Sequence, residues 1–324
     1  MGEPIFRVQN VSKSFGTHVV LDNINLDINS GEIIGIIGAS GAGKTTFLNA
    51  LIGFIQPDKG DILFRLDHLL SYRNSYIYRS VFKKQQLVKK VYGFASQQPS
   101  FYDELTTKEN MVYFGLLHNL NMDAVRSNSE TLLNLMDLKK SSDILAKNLS
   151  GGMERRLDIA CALMHDPDVL ILDEPTADLD PLLRNHIWEL VRKINQKGTT
   201  IILSSHHLTE LEVLCDRVVI IKEGKVLAIG KPEELKKKFI IEQEITIQTI
   251  PGNYKSLVKA IPKKNITRMR VANHSLHIYT ANPESVLAQV LSALKTRREK
   301  LSFIKVTSAS LDDVFISIWE KDKK

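Results

Sequence analysis

Cysteine is scarce in this chain. Only Cys161 and Cys215 occur among 324 residues, and neither stands in a C-x-x-C pair, so a disulfide framework and a cysteine metal site both lack their raw material. The two thiols lie in partly apolar segments that read as helical, and they are expected to be buried and free. No run approaches 18 consecutive apolar residues, and the first residues carry no basic-then-apolar leader, so neither membrane spanning nor secretion is indicated. The expectation is a protein that works in the cytosol. A strong excess of one charge is also missing: 43 Lys plus Arg face 37 Asp plus Glu, and a net +6 is mild for this length, so no nucleic-acid partner is expected. No internal repeat or low-complexity tract occurs either.

What the sequence does contain starts at "IIGIIGASGAGKTTFLNAL" (Ile33 to Leu51), where a strand-like apolar run breaks into three glycines within six residues and resumes as a helical pattern. The eight residues Gly38, Ala39, Ser40, Gly41, Ala42, Gly43, Lys44 and Thr45 fit G-x-x-x-x-G-K-[ST], and phosphate is what such a loop holds. Chain curling round a polyphosphate aims successive N–H groups inward, which suits glycine, and the following helix offers the positive end of its dipole. Lys44 would add a point charge on the β and γ phosphates, and the Thr45 hydroxyl would ligate Mg²⁺. By itself the motif leaves kinases, GTPases, helicases and transport ATPases open.

Alternation over residues 5 to 30 reads as β-strand, "GDILF" as another strand, and the text turns helical at Thr106, where Thr106 and Glu109 have capping-box spacing. "DVLILDEP" and "GTTIILSSHH" read as strands flanking a helix that ends near Gly198, which is the βαβ grammar of a parallel sheet. The core is therefore α/β. Strand "VLILDEP" ends in two acids that complement the loop: Asp173 can hold Mg²⁺, and Glu174 can polarise a water for in-line attack on the γ-phosphate. Just upstream, "LSGGMERRLDIA" sets Ser150, Gly151 and Gly152 before a clear helix as a second anion cradle. One nucleotide does not need two cradles from one subunit, so the second is offered to a nucleotide held by a partner.

With these residues the chain resembles the nucleotide-binding subunit of an ABC transporter, whose signature motif is LSGGQ; Met153 departs from it, and "SGGMERRL" is similar to the variant of drug-resistance and polysaccharide exporters. The resemblance covers 1–236 and implies a P-loop NTPase ABC cassette with a mainly parallel core sheet, an antiparallel β subdomain and a helical subdomain. It implies that ATP and Mg²⁺ bind, that two cassettes (a homodimer or a related pair) close round two ATP, and that a separate transmembrane permease is driven from the cytoplasmic face of the membrane. Residue by residue, Gln97 matches the Q-loop glutamine that touches Mg²⁺, with Gln98 as the rival register, and Thr46 joins Thr45 at the nucleotide. Leu179 and Asp180 match the D-loop, whereas Ala177 and Asp178 replace its usual Ser and Gly. His206 matches the switch histidine, with His207 its neighbour. Phe15 matches the aromatic that stacks on adenine; burial in the first hairpin is the alternative.

Alternatives from other classes are a soluble ABC ATPase without a transport role and the ATPase of an importer. The stretch between Lys44 and Leu149 holds no heptad run, which argues against a repair-type coiled-coil insertion. From Arg65 to Lys90 seven basic residues face Asp67 alone, with Tyr72, Tyr76, Tyr78 and Phe82 among them and Ile77, Val81 and Val88 on one helical face. This makes the segment a candidate for contact with lipid head groups, against the alternative of a solvated helix covering the cassette's own sheet. Residues 237–324 carry no nucleotide motif. Their order βαββαβ, with strands at 243–249, 266–272, 274–280 and 301–307 and helices at 253–261 and 283–297, predicts a small α+β accessory domain of ferredoxin-like type, closed by the amphipathic helix "SLDDVFISIWEK".

Overall fold

A computed structural model describes residues 3–66, 77–239, 242–297, 299–307 and 310–321. The chain forms two compact units, residues 1–231 and 232–324. The first opens with β1 (Pro4–Phe15), β2 (His18–Asn29), β3 (Ile33–Ile37) and α1 (Lys44–Leu51), followed by β4 (Lys59–Arg65), β5 (Tyr78–Ser80), α2 (Gln85–Val88) and β6 (Tyr92–Ala95). The helices α3 (Thr107–Leu117), α4 (Met122–Leu135) and α5 (Gly151–Leu163) come next. Then β7 (Val169–Asp173), α6 (Pro181–Asn195), β8 (Thr200–Ser204), α7 (Leu208–Leu214), β9 (Arg217–Lys222) and β10 (Lys225–Gly230) complete the unit.

Two sheets result. The first is antiparallel in the order β2-β1-β4-β5, and the second runs β10-β9-β3-β8-β7-β6 with every pair parallel except β10 with β9. All residues of β3, β7 and β8 are buried, as strands covered on both faces must be. Phe47 and Leu48 of α1 share one core with Ile34 and Ile36 of β3, Ile171 of β7 and Phe6, Ile62 and Phe64 of the antiparallel sheet. Burial of each such side chain contributes about 1.5–3 kcal/mol, which fixes α1, and hence the loop before it, over the edge of β3. The Thr106 hydroxyl accepts from Glu109 N at 3.2 Å while Glu109 Oε2 accepts from Thr106 N at 2.8 Å, so α3 starts with the capping box its spacing predicts. Both cysteines are free and buried, and burial pushes both thiols up.

The basic segment departs from expectation. Tyr78–Ser80 is a strand rather than part of a helix, Val81 N donates to Ile62 O at 2.9 Å, and Val81 and Val88 are both core residues. The edge of β4 pairs with Tyr78–Ser80 as a further strand; Val81 just after it and Val88 in α2 turn inward, and Lys83, Lys84, Lys89 and Lys90 face solvent. Tyr72, Arg73 and Tyr76 lie outside the described residues.

The second unit comprises α8 (Pro232–Phe239), β11 (Gln243–Ile250), α9 (Tyr254–Ala260), β12 (Arg268–Ala272), β13 (Ser275–Thr280), α10 (Pro283–Arg297), β14 (Lys300–Thr307) and α11 (Leu311–Lys321). Its sheet runs β12-β13-β11-β14 with every pair antiparallel, which is the split-βαβ order of a ferredoxin-like fold. Ile245, Ile247, Leu276 and Ile278 alternate onto one face and pack against Leu257 of α9 and Val286 and Val290 of α10.

In the first unit a histidine pair ties the helical segment to the sheet. The ring of His118, at the end of α3, stacks on His165 with centroids 3.7 Å apart and planes within 3°. His165 Nε2 lies 3.0 Å from Tyr92 O. Burial first, and the neighbouring His118 second, hold the His165 pKa down to about 4 from its ordinary 6.5. As pH falls through 6.5 the unfolded chain therefore takes up a proton that the folded one refuses until about 4, so stability drops across that window, by up to about 3 kcal/mol. His165→Phe is expected to flatten the fall in thermal midpoint between pH 7 and 5; an unchanged pH dependence would contradict this.

Candidate active site

The glycine loop follows the buried strand β3 and ends at Lys44, the first residue of α1. Gly41 and Gly43 adopt φ of +78° and +100°, a region that disfavours L side chains. At Gly43 a Cβ would also come within 2.6 Å of Val20 O, so this glycine serves the close approach of β2 as much as the turn. Lys44 bends back over the loop: its Nζ donates to Gly38 O at 2.9 Å and Ala39 O at 3.3 Å and lies 3.7 Å from Glu174 Oε1.

A cavity of about 430 Å³ opens on this loop, lined by Val20, Ser40, Gly41, Gly43, Lys44, Thr45, Thr46, Gln97, Glu174 and His206. Residues from six separate elements and loops thus meet round one space. Gln97 and His206 line it; their neighbours Gln98 and His207 do not. Beside it Asp173 ends β7 almost fully buried, its Oδ1 accepting the Ser204 hydroxyl, while Ser204 Oγ accepts from Glu174 N at 2.9 Å. Glu174 adopts φ of +49°, unusual for a long side chain and found where the surroundings over-determine it. One carboxylate oxygen faces Lys44, and the other is 2.7 Å from His206 Nδ1. That geometry aligns an acid, an imidazole and an ammonium at the mouth of an anion-binding loop.

Other predicted residues stand apart from the cavity. Ser150 is the N-cap of α5, exposed, with no side-chain capping bond; Gly151 has nothing within 4 Å of a built Cβ. Gly152 is buried, because a Cβ there would lie 2.9 Å from Leu183 Cδ2. Asp180 caps α6, its Oδ1 accepting from Leu182 N at 2.9 Å and Leu183 N at 3.0 Å. Asp178 takes φ of +61°, the left-handed conformation that the glycine it replaces would supply, and one that Asp tolerates. Phe15 is 51 % exposed, which rules out burial in the first hairpin, and it does not line the cavity. Val20 and Ser204 belong to the site without having been singled out. Val20 had no motif to mark it, whereas Ser204 directly precedes the Ser205–His206 pair and was legible as part of "LSSHH".

A glycine-rich loop opening a helix, an acidic pair at a strand end and a histidine beside that pair, on a doubly covered parallel sheet, are the features of a P-loop ATPase. A family model described as ABC transporter matches residues 21–177. Nod factor export ATP-binding protein I of Rhizobium sp. (strain N33) is 34% identical over 321 residues, covering 98% of both chains. Linearmycin resistance ATP-binding protein LnrL of Bacillus subtilis (strain 168) is 28% identical, covering 97% of this chain and 98% of the relative. Among solved structures, cbiO1 from Clostridium perfringens, part of the ABC transporter complex cbiONQ, superposes with a TM-score of 0.64 at 29% identity over 74% of this chain and 93% of that one. The dimeric ATP-binding cassette MJ0796, bound to ADP and Pi in a post-hydrolysis state, gives 0.59 at 26% over 70% and 98%. The chain belongs to the ATP-binding subunits of ABC transporters. It is an ATPase of that family, whose subunits pair as dimers and work with a membrane permease.

Proposed function

We propose that this chain powers an exporter: two cassettes close round two ATP, each P-loop completed by the partner's signature loop, and closure and reopening drive a separate permease from the cytoplasmic face of the membrane. The observation that carries the reading is the division of the predicted residues. Ser40, Gly41, Gly43, Lys44, Gln97, Glu174 and His206 meet in one cavity, whereas Ser150 and Gly151 stand outside it, exposed, with the Ser150 hydroxyl free of any capping bond. Export as the direction follows the names of the export and resistance relatives over nearly the full chain.

In this reading the loop from Gly38 to Thr46, with Ala39, Ser40, Gly41, Ala42 and Gly43, cradles the phosphates and Lys44 supplies charge. Thr45, Gln97 and Asp173 offer a hydroxyl, an amide carbonyl and a carboxylate, a hard-oxygen set too small to fill an octahedron, which suits Mg²⁺ keeping waters and phosphate oxygens. The ion, when bound, neutralises charge on the transferring phosphate. Glu174 takes the proton of the attacking water, and His206 holds its second oxygen. Phe15, half exposed at the end of β1, stacks on adenine. Ser150, Gly151, Gly152 and Asp180 serve the partner's nucleotide.

Tyr113, Leu116 and Leu117 lie at i, i+3 and i+4 on α3 and are 40%, 47% and 61% exposed, and the Tyr102 ring meets Tyr113 edge to face at 4.8 Å. This apolar ledge supports docking of the permease. Contact of the basic segment with lipid head groups would rest on the exposed Lys83, Lys84, Lys89 and Lys90, since Val81 and Val88 are in the core, and no nucleic-acid partner enters the reading. Residues 1–236 act as the cassette and 237–324 as an accessory domain. The reading is tested by turnover of the purified chain: EDTA should abolish ATP hydrolysis and added Mg²⁺ restore it, whereas turnover indifferent to chelation would remove the metal from the mechanism.

A further inference from the structure

One turn into α5, Arg155 is 6% exposed, and Asp158 on the same face is 1% exposed. Arg155 Nη1 lies 3.1 Å from Asp158 Oδ2. The guanidinium also donates to main-chain carbonyls of two other segments: Nη1 to Ser96 O, Nη2 to Asp173 O at 3.1 Å and Nε to Pro175 O at 2.9 Å. Asp158 Oδ1 accepts from Ser100 N at 3.0 Å and from Ser100 Oγ at 2.8 Å. One ion pair therefore grips the residue before Gln97, a residue three beyond it, and the two residues that flank Glu174.

We propose that Arg155 and Asp158 are a positioning pair: they hold the Gln97 loop and the strained Glu174 in one frame and fasten that frame to α5, the helix whose first turn is the signature loop. The proposal rests on the roles given above to Gln97 and Glu174. Its physical ground is the shape of the donor. A guanidinium presents five N–H groups in a rigid fork, so it can bond carbonyls of separate segments at once; a point-like ammonium or an apolar side chain cannot. A buried ion pair adds little net stability over a packed apolar pair, because desolvation offsets the Coulomb attraction. Burial indeed pulls the Arg155 pKa down and the Asp158 pKa up, each opposed by the other charge and, at Asp158, by the Ser100 bonds. What the pair does supply is geometry: with hydrogen bonds on the carbonyls before and after Glu174 and Ser204 Oγ on its N–H, the φ of +49° is held from three sides.

Ser96 and the Asp173–Pro175 segment are thereby tied through the guanidinium to the helix that carries Ser150 at its N-cap. Neither residue lines the nucleotide cavity, so both act through Gln97 and Glu174 and not on ATP itself.

The test uses the full chain with Arg155→Lys, Arg155→Met and the double variant Arg155→Met/Asp158→Leu, measuring thermal midpoint, ATP dissociation constant in EDTA, KM and kcat. Arg155→Met alone should lose both stability and turnover, because it leaves a buried carboxylate unpaired. The double variant removes both charges and should recover most of the midpoint while kcat stays roughly 10- to 100-fold down, the scale of an ångström-sized misplacement, with ATP affinity within about twofold of the parent. Arg155→Lys, which keeps a charge beside Asp158 but cannot span the carbonyls, should fold and show the same loss in kcat, and it decides the matter should the double variant fail to fold. Parent-like kcat in Arg155→Lys, or recovery of turnover together with stability in the double variant, overturns the proposal. Glu174→Gln is run alongside: if that variant keeps its turnover, the role of Glu174 is what has failed, and the Arg155 variants are then judged on Gln97 alone by whether their kcat still falls.

Discussion

Glu174→Gln is expected to lower ATP turnover by about 10²- to 10⁴-fold while leaving ATP affinity nearly unchanged, the range over which a positioned general base contributes. The substitution is close to isosteric, so the side chain keeps its volume between Lys44 and His206, but an amide cannot take the proton of the attacking water. The contacts at 3.7 Å and 2.7 Å that pin the carboxylate place it at the cavity wall, and the phosphate loop itself is untouched. With hydrolysis blocked, ATP should accumulate in a closed pair, seen as an ATP-dependent dimer by size-exclusion chromatography. Near-parental turnover in Glu174→Gln would move the base to another residue.

A second large effect should appear on mixing two inactive proteins. Lys44→Ala removes the phosphate charge from the P-loop; Ser150→Arg puts a bulky side chain where the partner's γ-phosphate would sit. Since the Ser150 side chain makes no capping bond and is exposed, its replacement should leave α5 standing. Each homodimer carries two damaged sites. In a mixed dimer both lesions fall in one composite site, which leaves the other with a sound P-loop from one chain and a sound signature from the next. If chains exchange freely and sites act independently under two-fold symmetry, an equal mixture should regain roughly a quarter of the normal sites. Nucleotide binding and ATPase rate are followed across mixing ratios, with exchange confirmed by differently tagged chains. Confirmed exchange without any gain over either parent would sink the shared site.

How much of this was legible beforehand depends on how local the cause is. The phosphate loop, the acidic pair and the capping box at Thr106 are set by neighbours within a few residues, and strand, turn and helix signals there agree with one another. The elements of the second unit are also legible, since its alternating strands Gln243–Ile250 and Ser275–Thr280 have one polar and one apolar face. Residues 78–80 form a strand where the apolar spacing of 77–88 fits a helix as well, because their pairing with β4 chose between the two, whereas Gln85–Val88 is helical as the spacing suggests.

By itself, then, the sequence determined the groups on offer: a glycine-rich loop opening a helix, two acids at a strand end and a second pair of glycines at the head of another helix. The tertiary structure alone decided which of these meet. Val20 reaches the site because β2 crosses behind Gly43, and Ser204 bridges Asp173 and the Glu174 amide because β7 and β8 lie side by side in register. Arg155 gathers Ser96, Asp173 and Pro175 because β6 and β7 are likewise paired and end together. Contacts between residues far apart in the chain depend on how strands order themselves and helices cover them, which burial and hydrogen bonding settle jointly over the whole fold and no short stretch encodes.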